Sequence, residues 1–462
     1  MRRRTFLSTG VAAAVACGFT ACMPALRPAP PLSQVTVPDA WRDGPAGQAN
    51  VDAQWWRAFG DPTLTTLVQA ALARNTNLLA AVARVEQARA LVTVADAAAL
   101  PAVNAVLGGA SARAPAGAAL VHSRSLQPEL QASWELDLSG RLRDQSRAAA
   151  LQYQASQAER DGVALSVAAS TAQAYVGLLA LDAQLRITKA TAASRAEALR
   201  LASDQARVGY TSQLQLTQAQ NENETVLQAI PELELAIRRQ ENSLRVLAGE
   251  LPGAVLRERR FEDLPVLPAP AAIASSLLAR RPDVAQSQLL LAASDVNLAL
   301  RRADFLPHVT ISAKFGSLLT NGRDYDPVTL WSLGGSVLAP VLSSGRLSAQ
   351  VDAATAQRDQ AAFAYRGVVL TAFSDVENAL AGVTRLQTQM EHAHRRRDIL
   401  ARTLDFAKDR YQAGYASYLE VLDAQRNLYQ VELNAVTLRQ NQVNNMVALY
   451  RALGGGWTAG AQ

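Results

Sequence analysis

Two hydrophobic periods alternate along the chain, and each switch between them occurs twice. Residues 130–138, LQASWELDL, put Leu130, Ala132, Trp134, Leu136 and Leu138 on one side and Gln131, Ser133, Glu135 and Asp137 on the other. Residues 309–315, VTISAKF, set Val309, Ile311, Ala313 and Phe315 against Thr310, Ser312 and Lys314. Strict alternation marks a strand with one apolar face. Residues 102–110 and 330–341 carry weaker versions of the pattern. Polar, Gly- and Ser-bearing loops are expected between the paired strands, at 111–126 and 316–328.

Around these strands the period is helical, and Pro and Gly set the breaks. Asp61-Pro62 opens a first helix expected to run to about Leu100, where Pro101 stops it. Gly140 to Val208 contains no proline and predicts one helix of about 69 residues, or about 100 Å at 1.5 Å per residue. Gly209 turns the chain, and Ser212 caps a return helix ending near Gly249. Pro231 is expected to kink that return helix. The second half predicts equivalents at about 275–304, 346–413 and 417–453. A helix of this length cannot be buried in a compact globule and belongs in an elongated coiled-coil assembly.

The two halves are copies of one plan. LARNTN at 72–77 aligns with LARRPD at 278–283, and AALPAV at 98–103 with DFLPHV at 304–309. SGRL occurs at 139–142 and 344–347, and GYTSQLQLTQAQ at 209–220 matches GYASYLEVLDAQ at 414–425. The spacing is 206 residues early and 205 later. A register held over so long a stretch is the mark of duplication.

Alternation alone fits both a transmembrane barrel and a half-buried soluble sheet. The context favours the barrel, because both strand pairs open from the same end of very long helices behind a secretory leader. Four strands cannot enclose a pore, since the smallest barrels use about eight. Open edges in lipid would leave backbone groups unpaired at several kcal/mol each, so such a chain must oligomerise. Gly162 to Leu181 is a second candidate span, twenty residues without a formal charge. Asp375 and Glu377 at the matching places of the second half make a buried helix seam the better reading.

Residues 1–22, MRRRTFLSTGVAAAVACGFTAC, have the basic start, apolar stretch and small residues of a signal peptide. Arg3-Arg4 also fits a twin-arginine leader. Both cysteines of the chain lie here. Cys22, behind Phe19-Thr20-Ala21, resembles the acylated cysteine of a lipobox, with Cys17 the alternative, and the plain reading discards both with the leader. Residues 22–31, CMPALRPAPP, form a Pro-rich tether.

Composition adds exclusions. Hydrophobic residues make up 49% but aromatics only 5%, a mixture that favours Ala- and Leu-rich helices. The formal charge of +5 falls to +2 without Arg2, Arg3 and Arg4 of the leader, too little to argue for nucleic acid. His392 and His394 stand two apart on a helix and point in different directions, so no metal site is expected. No phosphate-binding loop is present, and Gly454-Gly455-Gly456 ends a helix instead of opening one. No cofactor and no catalysis are expected.

The sequence is similar to the TolC-type outer-membrane factor family, in its pump-associated, OprM-like lipoprotein branch. The resemblance spans almost the whole chain. It is carried by the lipobox-like Cys22, WWRAFGDPTLTTLVQAAL at 55–72, WELDLSGRLR at 134–143, LLARRPDV at 277–284, DFLPHVTIS at 304–312, RYQAGYASYLEVLDAQRNLY at 410–429 and LYRALGGGW at 449–457. It implies a mainly α fold with transmembrane β, in which a homotrimer shares a twelve-stranded β-barrel and a long α-helical barrel. The expected order is signal peptide 1–21, lipid-anchored tether and equatorial segment 22–60, first repeat 61–250, linker 251–274, second repeat 275–456 and tail 457–462. The implied function is a passive exit duct for small molecules in the outer membrane, extending into the periplasm. The implied partners are outer-membrane lipid, a periplasmic adaptor and an inner-membrane pump of the resistance–nodulation–division class.

In that family the periplasmic tip narrows to a gate. The resemblance makes Gly209 and Gly414 the tip turns and places Glu420 and Asp423 at the gate carboxylates, one helical turn apart. Three copies would stack acidic rings that attract cations. An exposed acidic pair on a helix is the plainer reading of the same residues. The first half carries Gln215 and Gln218 there, and Ala416 stands where relatives can carry a base. Trp134 and Trp331 fit an interfacial aromatic belt and ordinary packing equally. Two other functions stay open: a similar duct for polypeptide secretion beside an ATP-driven exporter, and a non-conducting envelope scaffold.

Overall fold

The computed structural model describes residues 30, 35–36, 40–43, 51–116, 119–270 and 277–457. The leader with Cys17 and Cys22, most of the Pro-rich tether and the last five residues lie outside the described residues. The first half runs α1 (Pro62–Arg74), α2 (Thr76–Ala97), β1 (Ala102–Ala116), β2 (Ala119–Leu136), α3 (Arg141–Arg207) and α4 (Gln213–Leu247). The second half runs α5 (Leu277–Arg280), α6 (Pro282–Ala303), β3 (His308–Thr320), β4 (Val328–Leu338), α7 (Arg346–Gln412) and α8 (Tyr418–Ala452). Both long helices have 67 residues and both return helices 35. The duplicated sequence has folded into duplicated elements.

Among the described residues the chain divides into two compact units. One is built from Ala83–Gln157 and Gln286–Gly367, the other from Val35–Val82, Ala158–Ala285 and Val368–Gln462. The first holds the antiparallel sheet, in the order β1-β2-β3-β4. The second holds most of the helical packing. There Tyr175, Leu178, Leu179, Val176 and Thr171 are fully buried, so the uncharged Gly162–Leu181 stretch is a seam between helices.

Two expectations need correcting. The first helix does not run unbroken from 61 to 100: it stops at Asn75 and restarts at Thr76. Asn75 causes the break and stabilises both ends of it. Its Oδ1 accepts from the backbone N–H groups of Asn77 and Leu78 (3.0 and 3.2 Å), while its Nδ2 donates to the Leu247 carbonyl at 3.0 Å. That amide caps one helix start and one helix end. The break recurs between α5 and α6 at Arg281, whose Nη1 donates to the Ala452 carbonyl at 3.2 Å. The second correction concerns the loops. Most of 111–126 is strand, paired residue by residue as far as Ala116–Ala119, and β3 continues to Thr320. The backbone ladder forms there without the strict apolar alternation that marks 130–138. α4 remains one element across Pro231.

The entry to α1 is fixed by a buried acid. Asp61 Oδ1 accepts from the Leu64 N–H at 3.1 Å and Oδ2 from the Tyr175 hydroxyl at 2.9 Å. Burial and the Asp61 charge together push the Tyr175 hydroxyl far above its ordinary pKa, so it stays a donor. Trp55 stacks on Tyr450 at 5.5 Å, and Trp457 Nε1 donates to Asp161 at 2.9 Å, tying both ends of the described chain into this unit.

Return helices meet long helices through duplicated contacts. Gln240 Nε2 donates to the Ala174 carbonyl (2.7 Å), and Asn445 Nδ2 does the same to Ala379 (2.8 Å), beside Gly177 and Gly382. Where the return helices end, Gly249 (φ +71°) and Gly454 (φ +85°) press on the breaks. A Cβ would stand 2.4 Å from the Arg74 carbonyl oxygen at the first and 1.7 Å from that of Arg280 at the second. Gly209 has a similar φ of +81° with nothing within 4 Å of its Cβ position. We therefore expect Gly249→Ala and Gly454→Ala each to cost about 3 kcal/mol or more, and Gly209→Ala about 1 kcal/mol. Thermal unfolding of the three purified variants checks this; equal losses at all three positions would show that close packing is not the cause.

Candidate functional site

Over residues 129–135 and 309–315 the sheet separates an apolar face from a polar one. The registers place Ala105, Leu130, Phe315 and Trp331 in one row across all four strands, and Val103, Ala132, Ala313 and Leu333 in the next but one. Between them lies the row Asn104, Gln131, Lys314 and Ser332 on the opposite face. A sheet in a soluble core would cover its apolar side and expose the polar one. Here the apolar side is uncovered. Leu107, Phe315 and Trp331 are 70%, 61% and 76% exposed. The Glu129 side chain on the polar face is only 13% exposed. It accepts from Gln127 Nε2 (3.2 Å) and from Gln131 Nε2, with Lys314 Nζ at 4.0 Å. Further along, Glu135 takes two hydrogen bonds from Arg141 and lies 3.3 Å from His308 Nδ1. Trp134 donates to the Ala99 carbonyl at 3.0 Å, whereas Trp331 stands free on the apolar face.

In the helical unit, Gly209 and Gly414 (φ +79°) form the turns from α3 to α4 and from α7 to α8. Ser212 Oγ caps α4 by accepting from the Gln215 N–H at 3.3 Å. Glu420 and Asp423 both point outward, exposed. The opposite side of α8 buries Tyr418, Val421, Leu422 and Ala424 against Ala202, Ala219 and Ala407. Beside this apolar cluster lies an ionic one that the sequence reading missed. Glu222 of α4, 7% exposed, faces Arg195 of α3 at 2.9 Å and Arg426 of α8. Arg195 also donates to the Glu222 carbonyl (2.7 Å) and sits 5.8 Å over the Tyr429 ring. Burial pulls the Arg195 guanidinium below its ordinary pKa, with Glu222 opposing. Arg426 reaches on to Asp423 at 3.5 Å, so one of the two expected gate carboxylates is tied to the buried cluster. Glu420 has no ion pair among the described residues.

The missed signal lay in the periodicity. Ala192, Arg195, Leu199 and Ala202 occupy successive core positions on α3, as do Leu216, Ala219, Glu222 and Val226 on α4. Opposite charges at the apolar positions of facing helices point to a buried pair.

A family model described as outer membrane efflux protein matches the chain twice, over residues 67–250 and 273–455. The chain is 34% identical over 459 residues to the pyoverdine export outer membrane protein OpmQ of Pseudomonas aeruginosa, covering 97% of this chain and 95% of that one. It is 30% identical over 427 residues to the probable outer membrane lipoprotein SilC of Salmonella typhimurium, covering 89% and 90%. The solved structure of the outer-membrane channel OprN superposes with a TM-score of 0.85 at 26% identity, over 94% of this chain and 99% of that one. The chain belongs to the outer membrane efflux protein family.

Its double match follows the duplication read from the sequence. The four strands are one chain's share of an outer-membrane efflux channel of the TolC type, a family of channel proteins and not of enzymes. Membership in an efflux family removes the support for the polypeptide-secretion reading. For this channel the Glu222 cluster ties α3, α4 and α8 together. Removing Glu222 leaves Arg195 buried and uncompensated, and Glu222→Ala should cost about 3–5 kcal/mol. The joint change Arg195→Leu with Glu222→Leu should recover most of that loss. Chemical or thermal unfolding distinguishes the two; an equally unstable double variant would mean that packing, not charge, is at stake.

Proposed function

We propose that three copies of this chain close one twelve-stranded barrel, through which small molecules delivered by a periplasmic adaptor and an inner-membrane pump leave the cell. The supporting observation is the uncovered apolar face of the sheet, with Leu107, Phe315 and Trp331 exposed, opposite a polar face that carries Glu129, Gln131, Lys314 and Glu135. Lipid outside and water inside reproduce that order, and neither edge strand, β1 or β4, has an outer partner among the described residues. Closure by symmetry-related copies supplies those partners. Trp331 then lies against lipid with Phe315 and Leu333.

Cys22 is the proposed lipid anchor, consistent with the lipoprotein name of SilC. Pyoverdine export by OpmQ is consistent with a small-molecule cargo, and the proposed pump is of the resistance–nodulation–division class. The energy for export is assigned to the pump. Glu420 and Asp423 serve as gate carboxylates beyond the turns at Gly209 and Gly414. Both are exposed and can face an axis, and the Asp423–Arg426–Glu222 chain would hold α8 against α4 in the closed state.

Two measurements test this. Light scattering in detergent should give a protein mass of three chains; a monodisperse single chain that retains its fold would end the proposal. In planar bilayers, Glu420→Gln with Asp423→Asn should lower the preference for cations over anions on the order of threefold. Unaltered selectivity would leave them as ordinary surface acids.

A further inference from the structure

The two halves differ where each second strand hands over to its long helix. In the first half Arg141, at the head of α3, donates to both oxygens of Glu135 (2.8 and 2.9 Å). Asp137 accepts from the backbone N–H groups of Leu142 (3.1 Å) and Arg143 (3.0 Å). At the 205-residue spacing the matching positions of the second half hold Pro340 and Leu342. The arginine of the SGRL motif is kept as Arg346, at the head of α7. It has no carboxylate within ion-pairing distance among the described residues, and its side chain donates to Gln350 Oε1 at 3.4 Å. The duplication preserved the cation and lost its counter-charge.

Arg346 lines a cavity of about 320 Å³ together with Arg301, Asp304, His308, Leu338 and Gln350. His308 and Leu338 face one another in the β3–β4 register, on the same side as Thr310, Ser312 and Lys314. The cavity therefore opens on the polar face of the sheet. Its other charges are largely spoken for. Asp304 lies 3.4 Å from Arg301, and Glu135, which His308 touches, is already engaged by Arg141. The excess charge of this corner is Arg346.

We infer that Arg346, with Arg301 and His308, forms an anion-holding collar at the helix-proximal end of the barrel lumen, a way-station for small solutes bearing carboxylate or phosphate oxygens. The inference rests on the polar face lining the lumen. Three copies bring three such arginines around one axis, and each guanidinium offers the planar fork that suits an oxyanion. The collar is a specificity device opposite in sign to the acidic pair on α8, so it favours the anionic groups that those acids discourage.

The full-length channel in planar bilayers, probed with inorganic pyrophosphate on the side of the strand-connecting loops, tests this. Pyrophosphate should reduce the open-channel current from that side, and Arg346→Gln should raise the half-blocking concentration about tenfold. Pro340→Glu, which restores the carboxylate of the first half, should shift the block in the same direction, while Arg346→Lys, which keeps the charge but loses the fork, should shift it less than Arg346→Gln does. A conducting channel that pyrophosphate does not block, or whose block is the same in Arg346→Gln, overturns the collar alone. Absence of any conductance in the wild type overturns the lumen reading and the collar with it.

Discussion

Inside a bilayer a backbone N–H or C=O that lacks a protein partner finds no water to replace it, at a cost of several kcal/mol per group. Every feature of the sheet follows from that constraint. Four strands satisfy three ladders and leave two outer edges, so one chain in lipid is an incomplete object. The side chains obey the same rule at a second level. Apolar groups on one face need no hydrogen bonds and can meet lipid, while Glu129, Gln131 and Lys314 on the other bond to one another or to water. Once lipid and water are placed on the correct sides, exposure that would be a defect in a soluble protein becomes the ordinary outside of a barrel.

Duplication supplies the rest of the economy. One plan, used twice, gives each chain two hairpins and two helices about 100 Å long at 1.5 Å per residue. Contacts that hold the plan together are doubled in kind: Asn75 and Arg281 at the breaks, Gly249 and Gly454 against them, Gln240 and Asn445 on the long helices. Contacts that carry charge are not doubled. Glu420 and Asp423 face Gln215 and Gln218 across the repeat, Glu222 aligns with Asn427, and Glu135 aligns with Pro340. Structure is kept by symmetry, and the charged features proposed to control passage arise where symmetry is broken.

Much of this was legible in the residues, for reasons that can be named. Pro101, Gly140, Gly209 and Gly249 bounded the elements because a ring or a positive φ leaves few alternatives. The strand faces were legible at 130–138 and 309–315, where every second residue is apolar. They were not legible at 111–126, where Ala, Ser and Arg replace most of the large apolar residues and the pairing is carried by the backbone ladder. The break at Asn75 escaped because no Pro or Gly marks it; its cause is a hydrogen bond to Leu247, far away in sequence. The Arg195–Glu222 pair escaped for a related reason, since each residue alone reads as an exposed charge. Only the helical register, with Ala192, Leu199 and Ala202 around Arg195, shows that both must be inside.

The decisive question is which medium each face of the sheet meets. Single cysteines placed in turn from Val309 to Phe315 in the assembled channel, labelled with a fluorophore, can be quenched from the lipid phase or from water. Val309, Ile311, Ala313 and Phe315 should respond to the lipid-phase quencher, and Thr310, Ser312 and Lys314 to the aqueous one, in strict alternation. A uniform response along the strand, or the same alternation with the two quenchers exchanged, would contradict the account.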